Sequence, residues 1–137
     1  MSTRKQRFQL SPQGTLRQAI AGLLLLPPLA LANGITGADG PGGTPQLHSQ
    51  GGVPVVNIVA PNGAGLSHNQ FLDYNVERQG VVLNNAVQAG QSQLAGQLGA
   101  NPQFHSQAAS VILNEVIGRN ASALNGAQEV FGRQADY

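Results

Sequence analysis

The side chains able to do acid–base, nucleophilic or metal chemistry are sparse in this sequence and do not converge. His48, His68 and His105 are isolated, with no two at i, i+4 spacing on one helix. Neither His-Glu-x-x-His, which would set two imidazoles and a general base around one zinc ion, nor Gly-x-Ser-x-Gly, which would expose a serine nucleophile, is present. There is no cysteine, hence no disulfide and no structural zinc–thiolate site. The carboxylates Asp39, Asp73, Glu77, Glu115, Glu129 and Asp136 are scattered; Glu115 and Glu129 each stand in a strand-like context, where an exposed face accounts for a charge. His48 reads as a solvated loop residue, and Asn120-Ala121-Ser122 as a chance match to a glycosylation sequon. No catalytic, cofactor-binding or metal-ligating set is expected, and no cofactor.

What the chain does carry is a series of polar turns between apolar stretches. Residues 53–59 (VPVVNIV) form a near-continuous apolar strand, residues 60–65 (APNGAG) a turn, and residues 67–76 a second extended segment with Phe71, Tyr74 and Val76 as its bulky positions. Gln79-Gly80 turns the chain into a third strand, residues 81–86 (VVLNNA), which ends in an asparagine pair. That pair is open to two readings: an asparagine ladder, with side-chain amides bonded to the backbone of the next coil, or ordinary turn residues, which are commoner.

Residues 87–99 place Leu94 and Leu98 four apart, but Gly90, Gly96 and Gly99 each cost a helix about 1 kcal/mol, so loop or short extended pieces are expected. In residues 106–116 (SQAASVILNEV), Ser106 could cap a helix, whereas Val111-Ile112 and Val116-Ile117 favour a strand. Between these segments, Asn101-Pro102 initiates a turn, because proline fixes φ and the preceding asparagine bonds its own backbone. In such a polar turn, Asn101→Ala is expected to remove only local side-chain bonds.

The elements that position these turns begin after a leader. Arg4, Lys5, Arg7 and Arg17 make a basic n-region, residues 19–26 (AIAGLLLL) an apolar run, and Ala30-Leu31-Ala32 a small-residue cleavage site that predicts a mature N-terminus at Asn33. The run is short of the roughly 20 residues that span a bilayer, and Pro27-Pro28 interrupts it, so residues 1–32 read as a secretory signal peptide. Beyond it three arginines face six carboxylates, a net of −3, which leaves no basic stripe for phosphates and argues against a nucleic-acid partner. Residues 33–52, dense in glycine with Pro41 and Pro45, read as a linker or loose cap. Few aromatics and many Gly, Asn, Gln, Ala and Val suit a stacked parallel β-architecture, where small polar residues turn corners and aliphatics face inward.

The wording of these segments is more specific than their periodicity. Residues 53–76, an apolar strand, Asn-Gly-Ala-Gly-x-Ser-His-Asn and an aromatic-bearing strand, resemble the start of the two-partner secretion domain. That domain is the N-terminal region of filamentous-haemagglutinin-like exoproteins, contact-dependent growth inhibition toxins among them. Gly80 to Asn85 resembles the family's Gly-x-Val-Leu-Asn-Asn, and Val111 to Val116 its recurrent Val-Ile-Leu-Asn-Glu-Val strand, which decides that segment in favour of β. Asn101-Pro102-Gln103-Phe104 matches half of the family's Asn-Pro-Asn-Leu, and residues 120–132 resemble Asn-Pro-Ser-x-Leu-x-Gly-x-x-Glu-Val-x-Gly with Ala121 in place of proline.

The resemblance implies an all-β fold, the start of a right-handed parallel β-helix (β-solenoid) with capping or extra-helical strands, preceded by a signal peptide. Residues 53–137 would be the N-terminal part of that domain, cut short. It implies export by Sec through the periplasm of a Gram-negative bacterium, and recognition by the periplasmic domains of a partner outer-membrane barrel. β-Helix folding would nucleate on this segment, and the full-length exoprotein would meet a host or neighbouring-cell surface. Asn62, Gly63, Asn69, Asn101 and Pro102 are the expected recognition residues. A free-standing secreted adhesin or carbohydrate-binding β domain is the alternative, for which clustered exposed aromatics would be expected.

Overall fold

The computed structural model describes residues 34–137; the expected leader, with Ala30, Ala32 and Asn33 at its expected cleavage site, lies outside the described residues. The described chain is all-β, with nine strands: β1 (Ile35–Ala38), β2 (Gln46–Gln50), β3 (Val53–Asn57), β4 (Leu66–Tyr74), β5 (Val81–Asn85), β6 (Gly90–Ser92), β7 (Gly96–Leu98), β8 (Val111–Val116) and β9 (Gln128–Gly132).

From β3 onward, the β6–β7 hairpin aside, the chain alternates between two sheets. One has the order β9-β5-β3-β2, in which β9, β5 and β3 are parallel and β2 runs antiparallel to β3; the other has the order β1-β4-β8, with β4 and β8 parallel and β1 antiparallel to β4. The uninterrupted apolar runs at β3 and β5 follow from burial on both faces of the first sheet. Val56, Val81 and Leu83 face an interior shared with Phe71, Tyr74 and Ile112 of the other sheet and with Val76 just beyond β4. Val53, Val55 and Val82 face the opposite way, against Ala95, Leu98 and Phe131, under the antiparallel hairpin formed by β6 and β7. Pro54, which has no N–H to donate, pairs with Ser49 of β2, and the parallel ladder to β5 starts only at Val55.

On β4, Ser67, Asn69 and Phe71 point inward, whereas Leu66, His68 and Gln70 are only partly covered. This alternation slips after Phe71, because Thr36 pairs with Asp73 while Gly37 pairs with Phe71, so Leu72 is an extra, outward residue. Tyr74 thereby returns to the core and packs edge-on to Phe71, ring centroids 4.9 Å apart.

Residues 34–52, read from their composition as a linker or loose cap, are ordered into strands. They supply β1 and β2, which flank β4 and β3 respectively. Local periodicity is missing there because the strands are stabilised from outside, by backbone pairing to β4 and β3, and β2 is exposed along its whole length. Residues 87–99, expected as loop or short extended pieces, hold the β6–β7 hairpin, and the strand expected within residues 106–116 is confined to Val111–Val116.

Candidate functional site

Leaving β3, the chain turns out of its sheet while still buried, so the backbone groups of residues 57–59 need partners outside any ladder. Side-chain amides and one hydroxyl supply them. The Val59 N–H donates to Asn69 Oδ1 at 2.9 Å, and Ser67 Oγ donates to the Val59 carbonyl at 2.7 Å. Asn69 Nδ2 donates in turn to Ser67 Oγ at 3.0 Å. The Ile58 carbonyl accepts from Asn101 Nδ2 at 2.8 Å, and the same amide donates to the Asn84 carbonyl at 2.9 Å. Gln103 Nε2 donates to the Asn57 carbonyl at 2.7 Å and to that of Thr44 at 3.1 Å, tying the segment before β2 to the same place.

The asparagine pair that ends β5 extends the pattern. Asn84 Nδ2 donates to Asn57 Oδ1 at 3.1 Å, between residues that face each other in the parallel register. Asn85 donates to the Ala109 and Arg133 carbonyls at 2.9 and 2.8 Å and accepts from the Ala109 N–H at 2.8 Å. Of the two readings open in the sequence, the ladder is the one the structure adopts. Asparagine suits it because one short side chain offers both donors and an acceptor.

The expected recognition residues divide between inside and outside. Asn62 and Gly63 are exposed on the turn between β3 and β4, where Asn62 Oδ1 accepts from Ala64 N–H at 2.9 Å and Leu66 N–H at 3.0 Å. Gly65, at φ +84°, closes that turn where a Cβ would strike Ser110 Oγ, so only glycine lets the turn sit on the residue that leads into β8. Asn69 is fully buried. Asn101 is only 3% exposed, while Pro102 beside it is exposed.

The expectation that Asn101 makes only local bonds is therefore corrected, since its amide reaches carbonyls 43 and 17 residues away. Its backbone fits the same picture: Asn101 N–H donates to the Ala86 carbonyl at 2.9 Å, and Phe104 N–H to the Asn101 carbonyl at 3.1 Å. Phe104 packs against the main core.

Two carboxylates read as exposed in the sequence have different roles. Glu115 is exposed on β8, where Gln70 and His68 of β4 bond to it at 3.0 and 2.8 Å, and these bonds hold its carboxyl below the usual carboxylate range. Glu129, on β9, instead accepts three bonds from the hairpin tip: Ser92 Oγ at 2.8 Å, Gln93 N–H at 3.0 Å and Leu94 N–H at 3.0 Å. Among the described residues no group of His, Asp and Glu could hold a metal ion.

The arrangement is one of preformed turns on a stacked scaffold. A family model described as the TPS secretion domain matches residues 34–137. The chain belongs to that family. Its relatives include the "Hemolysin" of Serratia marcescens, 54% identical over 134 residues, and that of Proteus mirabilis, 49% identical over 134 residues. The "16S rRNA endonuclease CdiA" of Enterobacter cloacae subsp. cloacae is 44% identical over 129 residues. These matches cover 98%, 98% and 90% of this chain but 8%, 8% and 4% of the relatives, so the chain spans a small part of their length. The filamentous hemagglutinin secretion domain, known from a crystal structure, superposes with a TM-score of 0.69 at 42% identity, covering 76% of this chain and 34% of that one.

A two-partner secretion domain is a secretion module, and the names haemolysin and nuclease are those of the whole relatives. Sequence reasoning missed Gln103, Ser67 and Glu129 in this domain. The inward alternation of Ser67 and Asn69 on one strand is the signal that could have found Ser67; the partners of Gln103 and Glu129 lie too far along the chain for any local signal.

Proposed function

We propose that this chain is the secretion-recognition module of a haemolysin- or haemagglutinin-type exoprotein, targeting it to a partner outer-membrane transporter and nucleating β-helix folding. The alternation between two parallel stacks supports reading β3 to β9 as the first coils of a right-handed parallel β-helix, with β1, β2 and the hairpin lying outside the coils. Residues 1–32 act as the Sec signal peptide, cleaved before Asn33, so that the chain passes through the periplasm to the medium or the cell surface. There the rest of the exoprotein meets a host or neighbouring cell.

One observation carries the reading: Asn101 bonds the carbonyls of both Ile58 and Asn84. The exposed Pro102 turn is thus held in shape only when the first two passes of the chain are stacked. A transporter whose periplasmic domains meet that turn and the exposed Asn62-Gly63 turn meets a preformed surface, and each further coil then has a folded neighbour to bury its face against.

The test is secretion of the full-length exoprotein with and without its cognate transporter. Appearance in the medium only when the transporter is present is expected, and a Pro102→Asp variant that folds normally should be retained in the periplasm. Release without the transporter would overturn the proposal, and wild-type release of the Pro102 variant would remove this turn from it.

A further inference from the structure

The described residues contain two Asn-Gly pairs, Asn62-Gly63 and Asn125-Gly126. In such a pair nothing on Cα screens the glycine nitrogen, so it can attack the asparagine side chain. The two are held very differently. The Asn62 side-chain carbonyl is fixed by the Ala64 and Leu66 N–H groups, and its backbone N–H and carbonyl are bonded to Leu66 and Gly65. The exposed Asn125 side chain has no hydrogen-bond partner among the described residues and lines an open polar groove with Glu77, Arg78 and Gln79, where water has access.

Gly126 cannot be exchanged to slow the reaction, because a Cβ there would collide with the Glu77 carbonyl oxygen. The close approach that lets the chain pass Glu77 thus keeps Asn125 in its most reactive sequence context.

We infer that Asn125 is a site of spontaneous deamidation in the folded protein. The Gly126 nitrogen attacks Asn125 Cγ and loses its proton, the Cγ–Nδ2 bond breaks, and ammonia leaves. Water then opens the resulting succinimide at either carbonyl, giving aspartate or isoaspartate. Either product adds a carboxylate beside Glu77.

Isoaspartate also inserts a methylene into the backbone between two fixed points. On one side Asn125 N–H donates to the Val76 carbonyl at 2.8 Å, and on the other the Ala127 carbonyl accepts from Val81 N–H at 2.9 Å, immediately before β9. The register of β9 on β5 shifts, and β9 pairs less tightly.

Incubating the full chain at mildly alkaline pH, followed by peptide mass mapping with fragmentation that separates aspartate from isoaspartate, tests this. Asn125 should convert at least about tenfold faster than Asn62, equivalent to about 1.4 kcal/mol, the scale of one or two net hydrogen bonds. In urea the two rates should converge. Equal native rates, or an Asn125 that converts only in urea, would overturn the assignment. The isoaspartate form, separated by charge, should exchange the amide hydrogens of Gln128–Gly132 faster than the unmodified chain, and equal exchange would overturn the register consequence.

Discussion

The amide of Asn101 takes the place of ladder bonds that the chain gives up where it leaves β3 and β5. Asn101→Ala removes the amide from the Asn84 carbonyl and leaves the buried Ile58 carbonyl only the 3.4 Å bond from Gln103 Nε2, so a loss of about 2–3 kcal/mol in urea unfolding is expected. Asn101→Asp, which keeps the acceptor for Gln103 N–H but loses both donors, should cost nearly as much. Pro102→Ala changes only an exposed residue and should cost under about 1 kcal/mol, mostly through the unfolded chain. Tyr74 offers a pH test. Burial pushes its phenol well above the ordinary value and a negative charge on Tyr137 would push it further, while the hydroxyl donates to Gln128 Oε1 at 2.7 Å. The unfolded chain therefore releases this proton first: the contribution to stability is complete below pH about 10 and is lost as pH rises beyond it. Alkaline unfolding followed against Tyr74→Phe should show a shallower loss in the variant. At this scale the Asn-Pro turn was legible from its own chemistry, whereas the burial of Asn101 was not, because the carbonyls it serves belong to other strands.

Among the elements, the β6–β7 hairpin owes its place to a residue that enters the sequence 35 to 37 positions later. Glu129 gathers the Ser92 hydroxyl and two successive N–H groups at the hairpin tip, bonds strengthened by the charge of the acceptor. Glu129→Ala should speed amide exchange at Gln93 and Leu94 by the equivalent of about 1–3 kcal/mol while leaving β3 and β5 protected. Equal acceleration in all of these strands would mean that the hairpin is not a separable unit. The apolar strands β3 and β5 were legible because burial on both faces leaves an unbroken run of Val, Leu and Ile. The hairpin was not: its glycines argued against a helix without specifying a strand, and no Asn-Gly or Asp-Gly turn marks its tip. β1 and β2 were hidden for a related reason, since they are ordered by pairing to β4 and β3 and not by an apolar face of their own.

For the whole molecule, composition pointed to a stacked β-architecture with few large core residues, and the resemblance to two-partner secretion domains added the order of its strands and turns. The amides of Asn57, Asn84, Asn85 and Asn101 join one pass of the chain to the next, so in the folded chain the turns are held by the stacked strands. This is the property that a transporter recognising a preformed surface requires. The central claim is therefore tested most directly by titrating the purified chain with the periplasmic domains of its cognate outer-membrane transporter while following amide exchange. The account predicts saturable binding, with new protection concentrated at the turns around Asn62-Gly63 and Pro102. Binding that is absent for the folded chain, or that protects only surfaces remote from both turns, would contradict it.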